Sequence, residues 1–318
     1  MQGSTRDAGA PGGAAPNVVY SPRYECDIGP HVFPTSKYRL VHARLLLEGV
    51  VQPEQVLAPE LPPRSLLELV HSREYVDDFL GLRPTPRVML SELPITVEIR
   101  DAYMLAAAGS LLTARAALLH GCAMHLGGGL HHAMPDHAEG FCYLNDVAIA
   151  IRALQREGRV ERAAVIDTDV HQGNGTARIF RHDPDVFTFS IHQENNYPVK
   201  EQSDWDIGLD DGTGDEEYMA RLREAVPRLL DAHRPQLVLM VSGADPYRRD
   251  LLGGLGLSIE GLRERDRFVV QECARRGVPL AGLMGGGYAQ ATEDTVRIQV
   301  NTVREVLAWP AAAPETSA

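Results

Sequence analysis

Cysteine pairs are missing from this chain. Its four cysteines, Cys26, Cys122, Cys142 and Cys273, lie far apart and form no C-x-x-C unit. That argues against a thiolate zinc site and fits reduced thiols in a cytosol, so a cytoplasmic location is expected. A block rich in Lys and Arg is missing too. With a formal net charge of −12, this argues against nucleic acid or an anionic membrane as partner and leaves a cationic substrate open. No apolar run has the length a membrane span requires. Residues 1–16 are rich in Gly, Ala and Pro and lack the apolar core of a signal peptide; they read as a disordered tail, with a second tail over 311–318. Neither a linker nor an internal repeat divides 17–310. A single domain is expected there, which a chain of 318 residues allows.

What the sequence does contain is alternation. Apolar runs at 122–126, 165–171, 186–192, 236–243 and 279–284 read as strands. Helical spacing separates most of them, at 145–157, 216–233, 258–276 and 293–308. Strands that are apolar almost throughout imply a parallel sheet with helices on both faces, an α/β fold. The first part adds a strand at 17–21, helices at 36–47 and 65–80, a proline-rich loop at 82–94 and a long Ala- and Leu-rich helix within 95–119.

Four of these strands end in glycines and reactive side chains: G-G-G-L-H-H, D-T-D-V-H-Q-G-N-G, S-G-A-D and G-G-G-Y. Ligands bind at the carboxyl ends of the strands in open α/β sheets, so the four segments should meet on one rim. If extended geometry lasts through His171, then Asp167, Asp169 and His171 share one face. Asp169, His171 and Asp245 offer two carboxylates and an imidazole. Three such ligands leave a position open for water, as hydrolytic zinc sites require, and Fe²⁺ suits the same donors. His131 and His132 supply a base, with Asp167 and Asn174 available to fix their tautomers. Tyr288 can donate a hydrogen bond to a developing oxyanion. The plainer readings are solvated acids at a strand end, Asp245 as a helix N-cap and a merely buried histidine pair. Four segments converging on one rim disfavour them.

These segments resemble the zinc-dependent histone deacetylase family, which includes acetoin-utilisation proteins and acetylpolyamine amidohydrolases. The resemblance rests on G-G-L-H-H-A (128–133), G-F-C-Y-L-N-D (140–146), D-T-D-V-H-Q-G-N-G (167–175), S-I-H (190–192), D-G-T-G-D (211–215), G-A-D (243–245) and G-G-G-Y (285–288). H-V-F-P-T-S-K-Y-R-L (31–40) and the Asn at 174 look most like its bacterial, class IV branch. The resemblance implies the three-layer α/β/α arginase-deacetylase fold and hydrolysis of acylated lysine in a peptide or protein. It implies Zn²⁺ on Asp169, His171 and Asp245, with His131 paired to Asp167 and His132 to Asn174. His132 would be the principal base and acid, His131 its electrostatic partner, and Tyr288 would polarise the substrate carbonyl. Gly129, Phe141 and Tyr197 would wall an acyl-lysine tunnel. A structural K⁺ would sit on Asp167, Asp169, His171, Ser190 and Ile191. Leu252 stands where polyamine-specific members carry an acid, which disfavours a polyamine. Arginase-like relatives with two metals need a carboxylate where this chain has Gly173, and a D-x-D around Asp245 where it has Gly243 and Tyr247. One metal is therefore expected.

Overall fold

The computed structural model describes residues 17–309; both expected tails, and residue 310 of the expected domain, lie outside them. The elements are β1 (Val18–Val19), α1 (Ser36–Leu47), β2 (Val56–Leu57), α2 (Arg64–Leu67), α3 (Arg73–Leu80), α4 (Pro86–Met89) and α5 (Val97–His120). Then follow β3 (Cys122–His125), α6 (Asp146–Arg156), β4 (Ala163–Asp167), α7 (Asn174–Phe180), β5 (Val186–Gln193), β6 (Trp205–Leu209) and α8 (Asp215–His233). Last come β7 (Leu237–Val241), α9 (Ile259–Arg275), β8 (Leu280–Leu283) and α10 (Thr292–Leu307).

All eight strands pair in parallel in one sheet, ordered β2-β1-β3-β8-β7-β4-β5-β6. The central strands show why. Successive side chains on a strand face opposite ways. On β4, Ala163 and Val165 enter one apolar cluster while Ala164 and Ile166 enter the other. On β7, Leu237, Leu239 and Val241 divide in the same way from Val238 and Met240. Each face therefore needs its own cover. α6 and the C-terminal half of α5 cover one; α1, α8, α9 and α10 cover the other. This is the expected three-layer α/β/α architecture.

α5 departs from expectation in one respect. Its 24 residues and hydropathy of 1.4 do satisfy the length and composition of a membrane span. Yet 67% of the qualifying window is buried within the protein, packed on α6, β3 and β8. Its apolar character answers to the core. The Thr96 side chain caps its first turn by accepting from Ile99 N, and Gly121, at φ 87°, ends it.

Four elements were not foreseen. β2 is two residues long, and β6 (W-D-I-G-L) is half exposed and broken by Asp and Gly, so neither shows an apolar run. α4 is a single turn started by Pro86 inside the loop expected at 82–94. α7 begins at Asn174, where a glycine-rich loop was expected. All four cysteines are free thiols.

Candidate functional site

β4 ends at Asp167, so extended geometry does not carry Asp169 and His171 to one face as supposed. The carboxylates shape the turn instead. Asp167 Oδ1 accepts from Asp169 N at 3.1 Å, and Asp169 Oδ1 accepts from His171 N at 3.0 Å. Such short side-chain-to-backbone bonds let Asp replace the ladder that the strand end loses. The loop folds back over the rim, where β7 delivers Asp245 and β8 delivers the glycines before Tyr288.

There Asp169, His171 and Asp245 meet. Their donor atoms all lie within 4.8 Å of one another, and all three residues are buried. Among the described residues they form the one cluster of three or more His, Cys, Asp and Glu side chains able to share an ion. Asp169 Oδ2 accepts from Gly286 N at 2.8 Å, and Asp245 Oδ1 from Val170 N at 3.0 Å. Asp245 Oδ2 is buried and makes no hydrogen bond, its nearest basic neighbour being His171 Nδ1 at 3.5 Å. A bare carboxylate oxygen in the interior is costly unless something cationic meets it. Without a metal, a proton takes that part: burial opposes charge on His171, but Asp169 and Asp245 push its pKa up to about 10. Two carboxylates and one imidazole with an unspent oxygen fit a divalent ion with N/O preference.

Gly286 makes this close approach possible. A Cβ there would collide with Asp245 Oδ2 and stand 2.8 Å from Asp169 Oδ2. Gly286→Ala should therefore weaken divalent-metal binding by at least about tenfold, since neighbours of metal ligands carry effects of that size; calorimetric titration of the metal-free protein checks it.

The paired histidines lie beside the triad. His131 Nδ1 is 2.6 Å from Asp167 Oδ2, and His132 Nδ1 is 2.8 Å from Asn174 Oδ1. Both rings turn Nε2 to one point, 3.1 Å apart. The environments push their basicities in opposite directions. Burial opposes charge on His131, but Asp167 and then Asp169 outweigh it and raise the pKa to about 9. Burial, reinforced by His131 and His171, holds His132 well below the ordinary imidazole range. One ring is thus a cation and its neighbour a neutral base. The loop bearing them is pinned from below: Asp146 accepts from Gly129 N at 3.0 Å and Leu130 N at 2.7 Å.

A cavity of about 190 Å³ opens above the triad. His132, His171 and Tyr288 line it together with the expected wall residues Phe141 and Tyr197, and with Leu252. Gly129 does not line it but borders an adjoining void of about 30 Å³ that shares His132, Phe141, His171 and Tyr288. Phe141 holds φ 62°, rare for a bulky residue, and stacks on Phe33 with centroids 6.1 Å apart. Tyr197 meets His132 edge-on at 5.3 Å. Of the set expected for K⁺, Asp167 faces Ser190 across the β4–β5 ladder, and Ile191 follows Ser190 on β5.

Several contributors escaped the sequence reading. Lys37, fully buried, donates to Gly285 O at 3.0 Å and lies 5.3–5.6 Å from the rings of Phe33, Tyr38 and Tyr288. Desolvation brings its amine down to about 8. Asp250 accepts from Tyr288 N at 2.6 Å and Leu252 N at 2.9 Å, tying two parts of the cavity wall together. Arg265 of α9, fully buried, donates to Thr168 O at 3.0 Å and Gly243 O at 2.8 Å. It clamps the two strand ends that carry Asp169 and Asp245. Only Lys37 had a visible signal, its place in the 31–40 motif.

A parallel sheet between two helical layers, with these groups on its C-terminal rim, places the chain in the three-layer α/β class. The histone deacetylase domain profile matches residues 31–303, and the chain belongs to the histone deacetylase family. It is 44% identical over 282 residues to an uncharacterised protein of Picosynechococcus sp., covering 88% of this chain and 94% of that protein. A probable deacetylase of Archaeoglobus fulgidus is 32% identical, over 80% of this chain and 76% of its own length. The acetoin utilization protein AcuC of Staphylococcus aureus is 29% identical, with coverages of 75% and 67%. Among solved structures, the crystal structure of the HDA15 HD domain superposes with a TM-score of 0.76 at 24% identity, covering 92% of this chain and 90% of that one, which shows the shared fold. Family membership makes this chain a deacetylase-type hydrolase of acetylated substrates.

Proposed function

We propose that the protein removes acyl groups from the ε-amino nitrogen of acylated lysine in a peptide or protein, using Zn²⁺ held by Asp169, His171 and Asp245. The observation that carries this reading is the buried Asp-His-Asp set, in which Asp245 Oδ2 makes no hydrogen bond, beside a cavity walled by Phe141, Tyr197 and Leu252. The apolar walls suit a lysine stem, and the polar floor suits its amide.

The ion, when bound, supplies a Lewis acid for the acyl oxygen and lowers the pKa of a water. The residues do the rest. His132, neutral and held by Asn174, takes a proton from the attacking water through Nε2. His131, charged against Asp167, lends a fixed positive field to the developing oxyanion. The Tyr288 hydroxyl, carried by a backbone that Asp250 anchors, donates a hydrogen bond to the same oxygen. His132 then returns its proton to the departing nitrogen, leaving a free amine and a carboxylate. Tyr288→Phe should lower kcat by about 10²–10³, as loss of one oxyanion donor does elsewhere; steady-state kinetics on an acetyl-lysine peptide checks it. The K⁺ set around Asp167 and Ser190 would hold a structural ion beneath the loop.

One observation favours a different substrate. Glu92 also lines the cavity, and a carboxylate there would attract a small cationic acetylated amine. Kinetics on acyl-lysine peptides of several acyl lengths, against N-acetylated polyamines, separates the two. Higher kcat/KM on the amines would overturn the lysine reading. Reconstitution with Zn²⁺ and with Fe²⁺ in parallel identifies the working metal.

A further inference from the structure

Asn174 leaves His132 without the carboxylate that holds His131. We propose that Glu139 supplies it from one group further away, as a positioning residue in a His132–Asn174–Glu139 relay. The inference rests on His132 being the base of the proposed reaction.

The hydrogen bonds run in one direction. His132 Nδ1 lies 2.8 Å from Asn174 Oδ1. Asn174 Nδ2 donates to Glu139 Oε1 at 2.9 Å. Asn174 is 1% exposed, so its amide cannot turn to water for a partner. An amide has unlike ends, and only the oxygen can accept from an imidazole N–H. Flipping Asn174 would set its oxygen against the Glu139 carboxylate and its NH₂ against His132. Glu139 thus locks the oxygen toward the ring. With the proton held on Nδ1, the lone pair of His132 is on Nε2, where a water proton must be taken. The charge also polarises the amide, because hydrogen bonds in series strengthen one another.

Glu139 Oε1 is shared. The Tyr197 hydroxyl donates to it at 3.2 Å from the cavity wall, while Glu139 Oε2 lies 3.7 Å from His137 Nε2. One oxygen therefore joins the substrate wall to the partner of the base.

A charge exchange tests the relay. Glu139→Gln should lower kcat about tenfold with little change in KM. Asn174→Asp alone should lower it as much or more, by placing two carboxylates in contact. The double variant Glu139→Gln/Asn174→Asp should recover to within about threefold of the parent, a coupling of the size seen for residues in direct contact. Losses that simply multiply in the double variant would show that Glu139 does not act through Asn174. A readout independent of turnover is the ¹⁵N-histidine spectrum of the Zn²⁺-loaded protein, with His132 assigned by its substitution. The relay requires the Nδ1–H tautomer of His132 in the parent and a shift away from it in Glu139→Ala; an Nε2–H tautomer in the parent, or an unchanged spectrum in Glu139→Ala, would overturn it. If the parent hydrolyses no acyl amide at all, the proposed function fails, and the tautomer still decides the relay.

Discussion

Replacing His132 with Ala is expected to lower kcat by about 10²–10⁴, the usual contribution of a positioned general base, while the protein keeps its metal. Both halves follow from geometry. His132 is held by Asn174 and approaches His131, but it is not one of the three clustered donors. The neighbouring His131 is poorly placed to take over, because Asp167, 2.6 Å from its Nδ1, favours its charged form. The substitution leaves the Asn174 oxygen short of a donor, at a cost of about 1–3 kcal/mol, which a folded domain of this size tolerates. Turnover of an acetyl-lysine peptide and metal content by mass spectrometry are the two measurements. Unchanged turnover would remove His132 from the mechanism, and loss of metal would move it into the ligand set.

Asp169→Ala should abolish stoichiometric metal binding and, with it, turnover. Asp169 has three tasks. It is one of the two carboxylates of the triad, it accepts from the His171 backbone, and it receives Gly286 N. Its removal halves the anionic charge at the site and frees the turn that presents His171. Loss of an outer partner of a metal ligand weakens affinity about 10–100-fold, so loss of a ligand should exceed that. Equilibrium dialysis against Zn²⁺ measures it. A variant that retains one tightly held Zn²⁺ would refute the assignment of Asp169 as a ligand.

The sheet was readable in advance because β4, β7 and β8 are apolar runs buried on both sides. β2 and β6 were not, because an edge strand lacks such a run and its pairing is decided by a neighbour far along the chain. The site followed the same division. Residues that close a strand next to glycines, such as Asp169, His171, His131, His132, Asp245 and Tyr288, announced themselves locally. Lys37 and Arg265 did not, because their roles lie in contacts with carbonyls 248 and 97 residues away. Glu139 was hidden for a related reason: a Glu beside a Gly in a loop has no meaning until Asn174 is folded against it, 35 residues on. The route by which Asp169 and His171 converge was misjudged. The strand stops at Asp167, and the acids' own hydrogen bonds turn the chain.

The central strand order β8-β7-β4 also determines which chain closure creates the ligand set. The two aspartates arrive on strands that pair side by side, yet Val170 and Asp245, which hydrogen-bond there, are 75 positions apart. β8, bearing Gly286, is the last strand to leave the ribosome. The donors therefore meet only once β4 and β7 have paired, a closure across distant chain that contributes to slow folding in such topologies. An ion on the triad would bind the folded sheet and not the open chain, because its donors lie far apart along the chain until β4 and β7 pair. Chelation should therefore lower the melting temperature by an amount that grows with the logarithm of metal affinity, while the sheet persists.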